Sequence, residues 1–277
     1  MDRNGFDRGD AQLTILNGLV QSLVRLNISG SPAIPWSSPV PFFGDVSRSS
    51  IATVGINPSN REFVDENGNP LSGRSRRLET LSSLDLSDWS LAHRHHLSSI
   101  FNTCETYFYK NPYDKWFKRF DALISLTGSS YYSAIAPACH LDLVPFATGL
   151  KWGNLETKDQ AVMVQAAGDS LGKIVAASGV RVLVLNGRAV IDYFNSSSRS
   201  EIKEEPMQEW NLLRNDSKSV SGFAYHGVVR RISGVTIDRD VLILGFNHNL
   251  QSSFGVTREI ASSIRQWIAD MTRKSFQ

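Results

Sequence analysis

Apolar residues run along this chain in two rhythms. Short runs rich in β-branched and aliphatic residues read as buried strands at 50–55, 139–144, 181–186 and 241–246. Between them the apolar positions fall at helical spacing. Leu16, Leu19, Val20, Leu23 and Leu26 form one stripe, with Asp10 as its predicted cap and residues 27–32 as its end. After Ser87, a helix with Trp89, Leu97, Ile100, Phe101 and Cys104 inward is predicted. Asn111-Pro112 reads as the start of another, with Trp116, Phe117, Phe120, Leu123 and Ile124 inward and Gly128 at its end. Val164, Ala167, Leu171, Ile174 and Val175 predict one long helix over 157–178, closed by Gly179. A short helix follows Gly187. Ile260, Ile264, Trp267, Ile268 and Met271 predict the closing one. Buried strands alternating with helices imply an α/β fold, its parallel sheet covered on both faces.

The polar stretches refine this picture. Residues 30–47 read as an ordered loop whose Pro39-Val40-Pro41-Phe42-Phe43 segment packs on the core. Residues 60–77 carry Arg61, Arg74, Arg76 and Arg77, and read either as a solvated loop or as a contact to nucleic acid. Residues 195–219 look like an excursion, followed over 220–237 by two short strands with Arg230 and Arg231 exposed.

With 277 residues, 41% of them hydrophobic, the chain can bury a full core, and one domain over 1–277 is expected, with 1–35 as helix and lead-in loop and 195–237 as an insertion. A net charge of +2 places any nucleic-acid affinity in a local patch rather than in the overall balance. Two cysteines exclude a disulfide framework or a four-cysteine metal site. His93, His95 and His96 do not share one helix face, so no metal is expected. No apolar run approaches the ~20 residues of a membrane span, and the charged N-terminus does not read as a signal peptide. A cytoplasmic protein without membrane contact follows.

Candidate chemistry sits at the strand ends, where open α/β sheets bind their ligands. Asn57 follows the first strand, between Gly55 and Pro58, and His248 follows the last. A parallel sheet brings both to the same edge, and both side chains are expected in a single groove. On the second strand, alternation puts His140 and Asp142 on one face, as a catalytic aid or as a satisfied buried pair.

These residues resemble a known family. Gly55-Ile56-Asn57-Pro58-Ser59 resembles the first motif of the uracil-DNA glycosylase superfamily, above all its mismatch-specific branch. His248-Asn249-Leu250-Gln251-Ser252-Ser253 resembles the second motif and the intercalating residue after it. The resemblance spans residues 40–270 and implies a three-layer α/β/α sandwich around a short, mostly parallel four-stranded sheet. It implies a monofunctional DNA glycosylase that cleaves the N-glycosidic bond of a flipped-out base in double-stranded DNA, leaving an abasic site. By the same resemblance, Asn57 orients the attacking water and His248 supports the departing base. Gly55, Ile56, Pro58, Phe63, Asp142, Phe146 and Asn249 would contact the substrate, with Phe63 or Phe146 stacking on the base. Ser59, Arg61, Leu250, Gln251, Ser252 and Ser253 would contact DNA, with Leu250 or Gln251 filling the gap left by the nucleotide. No cofactor and no protein partner are implied.

The chain also departs from the pattern. The second motif lacks its prolines and first serine, Ser59 replaces a glycine, and Val144 stands where uracil enzymes carry a base-reading Asn. The family's iron–sulfur branches require four cysteines. These departures point to a modified pyrimidine, and the chain resembles a bacterial anti-phage group acting on glucosylated hydroxymethylcytosine. Three alternatives remain at this level. They are a uracil or mismatch repair enzyme, a non-catalytic DNA-binding module, and a small-molecule hydrolase built on Cys139, His140 and Asp142.

Overall fold

A computed structural model describes residues 3–198, 202–213, 219–250 and 256–275. In chain order the elements are α1 (Arg3–Ile28), β1 (Ile51–Gly55), α2 (Arg94–Glu105), α3 (Asp114–Ile124), β2 (Cys139–Asp142), α4 (Thr157–Ala167), α5 (Ser170–Ala176), β3 (Val182–Asn186), α6 (Arg188–Ser198), β4 (Lys203–Pro206), β5 (Leu212–Leu213), β6 (Ser219–Val220), β7 (Phe223–Ile232), β8 (Val235–Phe246) and α7 (Arg258–Ser275). The main sheet runs β2-β1-β3-β8-β7-β4. Its first four strands are parallel, and β7 and β4 extend it antiparallel. The fold is the expected α/β sandwich with six strands instead of four.

The two additional strands come from the excursion. Ser233 and Gly234 both adopt positive φ and join Ile232 to Val235, so a two-residue turn of the primed type makes a long β7–β8 hairpin from what read as two short strands. Lys203–Pro206 pairs with Phe223–His226 at the sheet edge, every residue of it exposed.

Strands β1 and β3 are buried end to end, which is why they read as apolar runs, whereas the equally buried β2 alternates His140 and Asp142 with Leu141. Helix α1 packs against α2, α4 and α5, and α3 packs against α7. Leu16, Leu19, Val20, Leu23 and Leu26 are all buried, as their spacing requires. Helix α1 begins well before Asp10, whose carboxylate instead meets Arg94 at 2.5 Å and ties α1 to α2. Asn111 does not cap α3. Its Nδ2 donates to the Ser75 carbonyl (2.7 Å), and the helix begins at Asp114. The long helix expected over 157–178 breaks at Gly168, which takes φ +55 and separates α4 from α5. Among the described residues, no helix is long and apolar enough to cross a membrane.

Candidate active site

The sheet register assembles the site. Gly55 lies beside Asp142 and Thr53 beside His140, so the ends of β1 and β2 meet at one edge. A Cβ on Gly55 would stand 2.5 Å from Asp142 Oδ1 and 3.1 Å from His140 Nε2. The space beside the glycine is therefore filled by its neighbours' side chains, and Gly55 is not open to the substrate contact that the resemblance implied.

Asn57 follows this strand end in a half-buried position. Its Nδ2 donates to the Pro58 carbonyl (3.2 Å), the Phe146 carbonyl (3.3 Å) and Thr148 Oγ1 (3.1 Å). Carbonyl oxygens only accept, so this network fixes which way the amide points. Both amide hydrogens are committed, and Oδ1 is the atom Asn57 offers to the cleft it lines.

That cleft is also lined by Phe43, Pro58, Ser59, Glu62, Trp116, Phe117, His140 and Asp142. Its volume is about 40 Å³, room for one or two waters and far below the ~300 Å³ at which ligand sites begin. Any ligand larger than that requires it to widen.

Polar groups lining the cleft are tied to partners in the core. Thr53 Oγ1 bonds both Tyr131 Oη and His140 Nδ1, the latter at 2.6 Å, and His140 Nε2 meets Asp142 Oδ1 at 3.3 Å. The imidazole is fully buried among aromatic rings, with the Trp116 centroid 4.9 Å away. This wire runs from the core to the cleft and holds Asp142 in place. Glu62, only 3% exposed, accepts from Tyr107 Oη at 2.5 Å. Burial raises its pKa to about 7; the Tyr107 hydrogen bond and the Arg77 charge oppose this, and the Asp142 charge adds to it.

Other expected residues lie elsewhere. His248 follows β8 at the same sheet edge, with β3 between it and β1. Its imidazole does not line the Asn57 cleft. It is buried, and Nε2 lies 2.6 Å from the Trp210 carbonyl, so Nε2 carries the hydrogen and spends it there. Burial lowers its pKa, against the raising effect of that hydrogen bond. Beside it, Asn247 accepts from the Phe223 N–H (2.9 Å) and donates to the Ser221 carbonyl (2.8 Å). The pair clamps the excursion to the sheet, and among the described residues that line the Asn57 cleft His248 is not one, contrary to the expected single groove.

Phe63 and Phe146 are core residues, each 1% exposed; Phe63 packs edge-on against Trp36, and Phe146 offers its carbonyl to Asn57. Neither can stack on a base without leaving the core. Val144 is equally buried, and the β2 residues that line the cleft are His140 and Asp142. Ile56 is part-buried and uses its carbonyl to accept from Val144. Ser59 Oγ caps the turn at Asn60–Glu62 through the Arg61 N–H. Arg61 folds back onto the Asp65 carbonyl and Glu66 rather than projecting outward. Asn249 is exposed. Gln251, Ser252 and Ser253 lie outside the described residues.

Two wider clefts are basic. One of about 310 Å³ holds Arg74, Arg76, Arg77 and Lys110. The other, of about 290 Å³, holds Arg119, Arg258 and Arg265 beside Leu250. Arg77 acts on Glu62, and Arg119 lies three residues beyond Trp116 on α3.

Glu62, Trp116 and Phe117 were missed as site residues. The two aromatics read as a helix's core stripe, and Glu62 carries no sequence signal apart from its place just after the Asn57 motif. Fold and site together define an α/β sandwich with an acidic, aromatic-walled cleft at the carboxyl edge of its parallel strands. No family model and no curated protein matches the chain.

Proposed function

We propose that the chain is a monofunctional DNA glycosylase that hydrolyses the N-glycosidic bond of a modified pyrimidine flipped out of double-stranded DNA. The product is an abasic site. The narrower substrate we advance is glucosylated hydroxymethylcytosine in phage DNA. The observation that carries this reading is the Asn57 amide. Three acceptors hold it rigidly, with Oδ1 left to position a water at the strand edge where α/β sheets bind ligands. Two arginine-lined clefts elsewhere on the surface supply phosphate contacts to the DNA. Among the described residues no lysine lines the Asn57 cleft, in keeping with simple hydrolysis rather than Schiff-base strand cleavage.

A second reading, a DNA-binding module of the same fold without turnover, is favoured by the engagement of His248 with Trp210 and by the narrowness of the cleft. Mass spectrometry of bases released from modified and unmodified phage DNA, and from uracil-containing DNA, decides between them. The glycosylase reading expects a free base from the modified DNA and none with Asn57→Ala. Salt-sensitive DNA binding with no base released from any substrate leaves only the binding module.

A further inference from the structure

The hydrogen-bonding capacity of the cleft is one-sided. Asn57 presents an acceptor, because its two N–H hydrogens are spent on Pro58, Phe146 and Thr148. Asp142 presents carboxylate oxygens and is held by His140. Glu62 has one oxygen on Tyr107 and is buried against the same space. Both imidazole nitrogens of His140 are engaged. Uracil carries a carbonyl acceptor at C4 where a cytosine-type base carries an amine donor, so a carboxylate facing that position disfavours uracil. The edge of a cytosine-type base offers an amine donor at N4 and an acceptor at N3. A carboxylate matches the first, and a protonated carboxyl matches the second.

We propose that Asp142 reads the N4 amine of a flipped cytosine-type base and that Glu62 is the general acid that protonates its N3. This rests on the glycosylase reading above and deepens it by assigning the proton donor that the withdrawn His248 does not supply. In the step, the Glu62 proton passes to N3 and the C1′–N1 bond breaks with its electron pair going to N1. The oxygen of the water held by Asn57 bonds to C1′, and that water's surplus proton leaves to solvent. Free neutral base and an abasic sugar result, and Glu62 is reprotonated from solvent. A buried carboxyl keeps a proton near neutral pH, as the task requires. The charged and titratable groups around Glu62 are Tyr107, Arg77, Asp142 and His140. Arg61, its chain neighbour, is turned to Glu66.

Single-turnover release is measured from duplexes carrying one glucosylated hydroxymethylcytosine, one hydroxymethylcytosine or one uracil, across roughly pH 5.5–9. Wild type is expected to release the cytosine-type bases and to slow about tenfold per pH unit above the Glu62 pKa. Glu62→Gln, checked for folding by its melting curve, is expected to lose about 100-fold at acidic pH and to show no such limb. Tyr107→Phe removes a bond that favours the ionised carboxylate and should move the limb to higher pH while activity persists. Asp142→Asn gains an N–H donor and should shift preference towards uracil by about tenfold or more. A folded Glu62→Gln with unchanged rate and limb overturns the proton-donor assignment while leaving the glycosylase reading intact. If that variant does not fold, an unmoved limb in Tyr107→Phe overturns it equally. Wild type that releases no base from any duplex overturns both.

Discussion

The buried carboxyl of Glu62 makes a prediction about stability that is independent of any activity. Burial raises its pKa from 4.5 to about 7 in the folded chain. At ~1.4 kcal/mol per pH unit, that displacement amounts to ~3 kcal/mol. The sign follows from proton counting. Between the two values the folded state holds the proton and the unfolded state has released it, so each rise in pH favours unfolding. The group's favourable proton binding is fully present below about pH 4.5 and is lost as pH climbs through about 7. Glu62→Gln keeps the size and an acceptor for Tyr107 Oη but cannot ionise. Urea unfolding of both proteins at several pH values isolates this one group, because every other titration cancels in the difference. The variant is expected to gain ~3 kcal/mol relative to wild type on going from the acid side of that window to the alkaline side. A difference constant to within ~1 kcal/mol over the window would mean that the carboxyl is solvated and that the cleft is not the closed site described above.

Three further outcomes follow from the same geometry. Gly55→Ala places a methyl group 2.5 Å from Asp142 Oδ1; a loss of ~1–3 kcal/mol is expected in denaturant titration, together with loss of base release, as Asp142 is driven from His140. Arg74→Ala and Arg119→Ala are each expected to weaken DNA binding at every sequence and to reduce the slope of log K against log salt by about 1, read by fluorescence anisotropy. Cys104 and Cys139 are fully buried, and burial pushes both thiols up, that of Cys139 to about 12; iodoacetamide should label neither in the native protein and both in urea, followed by intact mass.

The parallel half of the sheet is legible in the sequence because strands covered on both faces are apolar throughout, and Ile51–Gly55, Val182–Asn186 and the end of Val235–Phe246 are written that way. The antiparallel half is not. Lys203–Pro206 is charged and wholly exposed, so nothing in its composition separates an edge strand from a loop, and only its pairing with β7 makes it one. The break at Gly168 was hidden for a related reason. The apolar stripe stays nearly in register on both sides of the turn, and a lone glycine is tolerated within a helix.

The site divides along the same line, between position and direction. That polar residues after β1 and β8 lie at one edge follows from a parallel sheet, and it holds for both Asn57 and His248. Where each side chain points depends on partners distant in sequence. Phe146 and Thr148 hold Asn57 towards its cleft, while Trp210, presented by an excursion that read as an insertion, draws His248 away from it. Period-two alternation places His140 and Asp142 on a common face but does not say which face the cleft occupies. Gly55 carries that missing information. In the β1–β2 register it is the residue beside Asp142, and its absent side chain is the space the carboxylate fills. A glycine next to an acid across two buried strands therefore marks where the acid turns, and reading it requires the strand pairing that only the fold supplies.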